Sequence, residues 1–175
     1  IEIIPYIIPG RTGAQMLPED LAILYKAHPN VGTVKEATAD AANMRRTREC
    51  CGPDYTILSG DDGMTYEMMT DPAIGAAGVI SVASNVAPKA VTEMVKLLSQ
   101  EKLSEAKSLM LKLEPLFSLV TVKTTEKTPY GEVVCRARNP LAVKALMSIL
   151  GMPAGGCRPP LGKMTRNGID TVVTA

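Results

Sequence analysis

The sequence predicts an α/β fold over residues 1–101, a parallel sheet with helices outside it, followed by a mostly helical region over residues 102–175. Three observations favour this division. Four apolar segments alternate with helical patterns in the first part, as parallel βαβ units do. Each apolar segment ends in polar residues, and the alternation stops after residue 101.

The predicted strands and helices of the first part follow one another closely. The first segment, 1–8, is a near-continuous apolar run, typical of a strand buried on both faces. The next helix begins near Pro18, which Glu19 and Asp20 follow, because proline and acidic residues are favoured in a first helical turn. The predicted strands are 1–8, 30–37, 55–62 and 75–84, and the predicted helices are 17–27, 41–51, 64–70 and 87–101.

The part after residue 101 has a different pattern. Helices are predicted over 102–120, 141–151 and 166–175, and Gly151 is a plausible helix stop. The stretch 123–140 is polar and rich in turn formers, which predicts a loop. The Pro- and Gly-rich stretch 152–164 excludes regular structure.

The composition predicts an ordinary globular protein, with 46% hydrophobic and 21% charged residues. A net charge of +1 gives no electrostatic footprint for nucleic acid or a membrane surface, and no apolar stretch reaches the ~18 residues of a membrane span. With one histidine, His28, and no CxxC pair, no usual zinc site is expected. We expect reduced thiols, as in a cytoplasmic protein, at Cys50, Cys51, Cys135 and Cys157.

Lys35 ends the predicted strand in "NVGTVKEATAD" and has two interpretations. Its side chain could extend from the strand end into solvent. Alternatively, it could be a nucleophile that forms a Schiff base, because burial at a strand end destabilises the ammonium and favours the reactive free amine. The carboxyl ends of parallel strands are also where chemistry gathers in such folds.

The other polar strand ends are equally open when taken singly. Tyr6 could fill the core or carry protons. Arg11 could be a solvated loop residue, or its guanidinium could bind a substrate carboxylate through two hydrogen bonds. In "LSGDDG" (58–63), the acidic residues could cap the following helix or hold a divalent ion, for which two adjacent aspartates are poor evidence. Gly60 could let a ligand approach the backbone.

The combination is more specific than its parts. "YIIPGRTG", "VGTVKEAT", "LSGDD" and "GVISVASNVAP" occur in this order, and together they resemble the dihydrodipicolinate synthase / N-acetylneuraminate lyase family. The resemblance covers about residues 2–120 and returns around "NPLAVKALMSILG". It implies a (β/α)₈ TIM barrel with a C-terminal helical region, of which this chain would supply strands 5 to 8.

The resemblance also implies roles for five residues. Lys35 would form an imine with pyruvate, Tyr6 would relay protons, and Arg11 would receive the carboxylate of aspartate semialdehyde. The backbone at Gly60 and Ile80 would line the pyruvate pocket. Arg11 and the "SGDD" stretch favour the synthase branch of the family, which acts in lysine biosynthesis, and imply a lyase that uses neither a metal nor an organic cofactor.

Two departures from the family pattern leave alternatives open. Ile7 stands where the family usually has asparagine, and the stretch 121–138 is longer than usual. Another pyruvate-dependent aldolase, acting on a 2-keto-3-deoxy sugar acid or N-acetylneuraminate, is therefore an alternative. An alternative of another class is a non-catalytic α/β binding module.

The first residues, "IEIIPYIIPG", begin without methionine inside a predicted strand. We therefore expect the chain to be a fragment whose partner is the missing N-terminal half of the barrel. A half barrel leaves open strand edges, so we expect it to be inactive alone. A homo-oligomer, a tetramer by family resemblance, is expected of the whole protein.

Overall fold

The computed structural model describes all residues 1–175, which form two units. The first unit contains Ile1–Ser81 and Thr92–Met110, and the second contains Val82–Val91 and Leu111–Ala175. These units divide the chain by its packing. The sequence predicts a different division, at residue 101, between half a barrel and a C-terminal region. That division concerns a larger fold and stays a prediction.

The first unit is built on a parallel four-stranded sheet in the order β1-β2-β3-β4. Helices follow the strands, as the alternating pattern predicts, and the α/β class is confirmed. The elements are β1 (Tyr6–Ile7), α1 (Pro9–Thr12), α2 (Pro18–Ala27), β2 (Thr33–Glu36), α3 (Ala41–Cys51), β3 (Thr56–Ser59), α4 (Thr65–Thr70) and β4 (Gly78–Val79). Helices α5 (Pro88–Ser99) and α6 (Leu103–Ser118) each have residues in both units.

The strands are shorter than predicted, above all the first. The prediction that 1–8 is a strand buried on both faces is wrong for its beginning, since Ile1, Ile3 and Ile4 are exposed. The physical reason is position: β1 lies at an edge of the sheet and pairs only with β2. The fourth strand is also at an edge, and only Gly78–Val79 of the predicted 75–84 is a strand.

The core of this unit lies around the two central strands. Val34 of β2 and Ile57 of β3 are completely buried, because helices pack on the face of the sheet from which their side chains project. Methionines from two helices fill this core, together with Leu21 of α2. The core cluster is Ile7, Leu21, Val34, Met44, Tyr55, Ile57, Met68, Ile74 and Ala76.

Arg48 of α3 fastens the loops on both sides of β3. Its guanidinium donates to the carbonyl oxygens of Gly52 (2.8 Å), Pro53 (3.1 Å) and Tyr55 (2.6 Å). It also donates to the carbonyl oxygens of residues 74 (2.9 Å) and 75 (3.1 Å). Backbone carbonyls in partly buried loops need hydrogen-bond donors, and this one side chain supplies a donor to five of them.

The second unit contains an antiparallel hairpin, so the prediction of a loop over 123–140 is wrong. Strands β5 (Thr121–Thr128) and β6 (Gly131–Arg138) pair along their whole length. Threonine and valine favour strands, and Gly131 closes the turn with a φ of 116°, which favours glycine. The segment is polar because one face of the ribbon is exposed to solvent.

The rest of the second unit packs on the buried face of this hairpin. Its core cluster joins Leu119, Val122, Ala142 and Val172. The predicted helices are confirmed as α7 (Leu141–Ile149) and α8 (Arg166–Thr174), with Gly151 in the left-handed region just after α7. Residues 152–164 have no regular structure, as predicted.

Two findings bear on the class of protein. No helix of the chain is both long enough and apolar enough to cross a bilayer. All four cysteines are free thiols in this structure. Burial raises the pKa of the Cys51 thiol to about 11.

Candidate active site

Tyr6 and Lys35 lie side by side at the carboxyl end of the sheet. They are direct partners across the parallel pair β1–β2, so their side chains leave the same face of the sheet. The Nζ atom of Lys35 lies 3.9 Å from the centroid of the Tyr6 ring, within the range of a cation–π contact. The sequence alone could not place these two residues together, because they are 29 positions apart.

The side chain of Lys35 is neither fully solvated nor paired. The residue is partly buried, and its ammonium has no hydrogen-bond or ion-pair partner besides the aromatic ring. Both interpretations of Lys35 stay predictions, and the structure adds that the amine lies over the Tyr6 ring. A lysine beside a phenol is an arrangement that imine-forming chemistry requires.

Gly60 forms the wall beside this lysine. A Cβ atom at Gly60 would lie 3.0 Å from Cγ and Cε of Lys35 and 2.9 Å from Cβ of Ala37. Any larger residue would therefore push against the lysine side chain. The Gly60 N–H donates to the Glu36 carbonyl oxygen at 2.7 Å, which holds the backbone of the two strand ends together.

A buried hydroxyl pair fixes the loop that contains Gly60. Ser59 and Thr65 are completely buried, and the Thr65 hydroxyl donates to Ser59 Oγ at 3.1 Å. Ser59 Oγ donates to the Asp61 carbonyl oxygen at 2.7 Å. Sequence analysis missed this pair, because a hydroxyl in an apolar strand shows its partner only in three dimensions.

The acidic stretch "GDD" caps the short turn that follows β3. The Asp61 carboxylate accepts a hydrogen bond from the Gly63 N–H at 3.0 Å, so it caps the turn 62–64. The predicted cap of the following helix is wrong, since α4 begins after Met64 without a side-chain cap. Asp62 is buried and has an interaction of its own. No group of three or more histidine, cysteine or acidic side chains is placed to hold a metal ion.

Glu36, directly after Lys35, is a further residue of this region to which sequence analysis gave no role. Its side chain is 1% exposed, and its carboxylate accepts hydrogen bonds from the Thr38 N–H at 2.7 Å and from Asn43 Nδ2 at 3.3 Å. Burial raises the pKa of this carboxyl. The signal was present in the sequence, since an acid inside a predicted buried strand is unusual.

Ile80 is next to this group, whereas Arg11 is apart from it. The Ile80 N–H donates to the Ser59 carbonyl oxygen at 2.9 Å, so its backbone lies next to the Gly60 loop. Arg11 belongs to helix α1, a single turn that Gly13 ends in the left-handed region. The Arg11 side chain is exposed and contacts none of the other predicted site residues.

The geometry thus joins three of the five predicted residues and leaves one apart. Tyr6, Lys35 and Gly60 are in direct contact or close approach, and Ile80 is one hydrogen bond away through Ser59. Together they offer an amine, a phenol and a glycine backbone packed against the lysine side chain at one edge of the sheet. Such a set can form and protonate a covalent adduct with a small carbonyl compound.

Comparisons with known proteins agree on one family. The model of the Dihydrodipicolinate synthetase family matches residues 1–175. The chain is 40% identical over 152 residues to a 4-hydroxy-tetrahydrodipicolinate synthase of Sulfurihydrogenibium sp., covering 87% of this chain and 46% of the relative. It is 33% identical over 167 residues to the synthase of Methanococcus maripaludis, covering 95% of this chain and 51% of the relative.

Solved structures give the same result. The chain is similar to a dihydrodipicolinate synthase from Aquifex aeolicus, with 29% identity and a TM-score of 0.85 over 99% of this chain and 54% of that one. A 4-hydroxy-tetrahydrodipicolinate synthase from Methylacidiphilum fumariolicum gives 28% identity and a TM-score of 0.85, covering 99% of this chain and 52% of the other. The chain thus spans about half the length of the relatives and structures that it matches.

Proposed function

Since the chain belongs to the Dihydrodipicolinate synthetase family, we propose that it supplies the imine-forming half of a 4-hydroxy-tetrahydrodipicolinate synthase of lysine biosynthesis. The observation that carries this proposal is the unpaired Lys35 amine, 3.9 Å from the Tyr6 ring and against the Gly60 backbone. An amine held in this way is suited to attack pyruvate.

The four βα units correspond, in this proposal, to strands 5 to 8 of a TIM barrel in residues 1–101, with residues 102–175 as the C-terminal region. Two facts support the assignment: the relatives are about twice as long, and β1 and β4 are both open edges. A barrel has no edges, so the N-terminal half would close it. The 175 residues alone should have little synthase activity.

The proposed reaction begins at Lys35. Its nitrogen bonds to C2 of pyruvate, and the C2 oxygen leaves as water, which gives an imine. Loss of a proton from C3 gives an enamine, whose C3 bonds to the aldehyde carbon of aspartate semialdehyde while the aldehyde oxygen takes up a proton. The amino group of the semialdehyde then attacks C2, closes the ring and releases the amine of Lys35.

The other residues assist this sequence in distinct ways. The Tyr6 phenol would carry protons to and from the adduct, because it lies beside the amine. The backbone at Gly60 and Ile80 would line the pyruvate pocket. Arg11 would bind the carboxylate of the semialdehyde, since its guanidinium is exposed and has no partner within the chain. Neither a metal nor an organic cofactor takes part in this scheme.

The same exposure of Arg11 keeps a second candidate open. A pyruvate-dependent aldolase of the same family, acting on a sugar acid, would use Lys35 and Tyr6 but not Arg11. Substitution of Arg11 by alanine in the full-length protein separates the two. Loss of semialdehyde turnover with pyruvate imine formation intact supports the synthase, and unchanged semialdehyde turnover contradicts it.

A binding module without catalysis is tested by chemical trapping. Borohydride reduces an imine to a permanent secondary amine, so pyruvate with borohydride should label the folded full-length protein. Folded protein that acquires no label would contradict the enzyme and favour the binding module. Assembly into a homo-oligomer and a cytoplasmic location stay predictions.

A further inference from the structure

Glu36 has a buried carboxylate next to Lys35 in the sequence. The side chain is 1% exposed, and no lysine or arginine forms an ion pair with it. A carboxylate removed from water without a counter-ion is costly. Groups that are retained in such surroundings are candidates for a functional role.

The carboxylate fastens the loop that leaves the lysine strand. Glu36 Oε1 accepts the Thr38 N–H at 2.7 Å, and Oε2 accepts Asn43 Nδ2 of α3 at 3.3 Å. Between them the chain passes through Ala39, whose φ of 58° is in the left-handed region. A non-glycine residue keeps this conformation only where its surroundings stabilise it. The two hydrogen bonds to Glu36, on either side of Ala39, contribute to that stabilisation.

Glu36 also contacts the Gly60 backbone, which lies beside the Lys35 side chain. The Glu36 carbonyl oxygen accepts the Gly60 N–H at 2.7 Å. Ala37 follows Glu36 directly, and its Cβ would lie 2.9 Å from a Cβ atom at Gly60. A shift of this loop would therefore change the space in which the Lys35 side chain lies.

Direct participation in the chemistry is excluded by the geometry of a strand. Neighbouring side chains of a strand point to opposite faces, and Lys35 and Glu36 are neighbours in β2. Glu36 contacts Thr38 and Asn43 on its own face, whereas Lys35 contacts Tyr6 on the other. Any effect of Glu36 on the reaction must pass through the backbone and the loop.

We propose that Glu36 is a positioning residue for imine formation at Lys35, acting through the loop 37–40 and the backbone of Gly60. The proposal rests on the proposed function, in which Lys35 forms the imine. It adds that the reactivity of the amine depends on an ionised carboxylate on the opposite face of the strand.

A pH signature follows from the surroundings of the carboxylate. Burial raises the pKa of Glu36, hydrogen bonds from Thr38 and Asn43 lower it, and the nearby Asp40 carboxylate raises it. Asp40 is the other charged group that acts on it from the loop. When Glu36 takes up a proton, one of its two acceptor oxygens becomes a donor, so the loop loses one of its bonds to the side chain.

The test compares the rate of pyruvate imine formation, measured by borohydride trapping, in the full-length wild type, E36A, E36Q and E49A. Glu49 lies exposed on α3, so E49A is the control and should keep the wild-type rate. We expect E36A to be slower by about tenfold or more, the scale of a small misplacement in a reacting pair. E36Q resembles the protonated residue and should be intermediate.

The ratio of the wild-type rate to the E36Q rate gives the decisive readout, because pH effects common to both proteins cancel. This ratio should fall toward one as the pH drops through the pKa of Glu36. A purely structural residue would change melting temperature without this dependence. A folded E36A with the wild-type rate, or a ratio of one at every pH, would overturn the proposal. Absence of any adduct in the wild type would instead overturn the proposed function.

Discussion

The parallel sheet and the β5–β6 hairpin carry the same kinds of residues under different conditions. In the sheet, Lys35 and Glu36 are partly or fully buried, and each has one defined set of contacts. In the hairpin, Lys123 and Arg136 face each other across the strands and are both exposed. Like charges opposite each other are tolerated only where water screens them.

The difference teaches where chemistry can reside in this chain. Residue type alone does not distinguish a reactive lysine from a solvated one, whereas burial and fixed neighbours do. The hairpin supplies natural controls, because it offers a matching tyrosine, arginine and glycine in exposed positions and a partly buried, hydrogen-bonded glutamate. Each of the following predictions pairs one residue of the sheet unit with its counterpart there.

The largest effect is expected for the two tyrosines. Tyr6→Phe keeps the ring over the Lys35 ammonium and removes only the hydroxyl, so turnover should fall by about a hundredfold, the usual scale of general acid–base catalysis. Tyr130 at the hairpin turn is fully exposed, and Tyr130→Phe should leave turnover unchanged. Steady-state rates of the full-length variants test this pair, and equal rates would remove Tyr6 from the mechanism.

The two arginines should separate by their effect on stability. Arg48→Ala leaves five carbonyl oxygens without their donor and should lower the free energy of unfolding by about 3 kcal/mol. Arg138 on the hairpin is exposed, and Arg138→Ala should cost at most about 0.5 kcal/mol. Urea unfolding measures both, and a similar small loss in the two variants would contradict the role given to Arg48.

The two glycines should separate by which property they change. Gly60→Ala places a methyl group within 3.0 Å of the Lys35 side chain, and overpacking costs about 1–3 kcal/mol. Gly131→Ala strains a turn residue at a φ of 116°, also at about 1–3 kcal/mol. We expect slower imine formation in Gly60→Ala alone. Unchanged trapping by folded Gly60→Ala would show that this wall does not matter.

The smallest effect should appear in the pH dependence of the two glutamates. Burial raises the pKa of Glu36, so its contribution to stability is present below the unfolded-state value of 4.5 and is lost as pH rises through the folded-state pKa. Hydrogen bonds from Thr165, Thr124 and Asn167 lower the pKa of Glu126. The contribution of Glu126 is therefore present above 4.5 and is lost as pH falls through its folded-state pKa.

The two glutamine variants should consequently diverge in opposite directions. As the pH rises from acid to neutral, E36Q should gain stability relative to the wild type, whereas E126Q should lose it. Melting temperatures across this pH range provide the measurement. Parallel curves for both variants would contradict the assigned environments.

The sequence predicts the sheet unit better than the hairpin for a physical reason. Buried parallel strands leave apolar runs such as that around Val34, and the polar residues that follow show where each strand ends. The hairpin has one solvent-exposed face, so its sequence is polar and predicts a loop instead of strands. Edge position also could not be predicted, which is why the exposure of Ile3 and Ile4 was missed.

The candidate site divides in the same way. The residue types and their order led to Tyr6, Lys35 and Gly60, which the fold brings together. The partners of Ser59 and Glu36 could not be predicted, because they depend on which loop returns to which strand. Arg11 shows the opposite limit: its sequence context is specific, but its side chain is exposed and forms no ion pair within this chain.

The most direct test of the central claim is to locate the trapped adduct. Full-length wild type, K35A and the hairpin variant K123A are treated with pyruvate and borohydride, digested, and mapped by mass spectrometry. We expect wild type and K123A to carry the reduced pyruvate on the peptide that contains Lys35, and K35A to carry none. An adduct on another lysine, or undiminished labelling of folded K35A, would contradict the account.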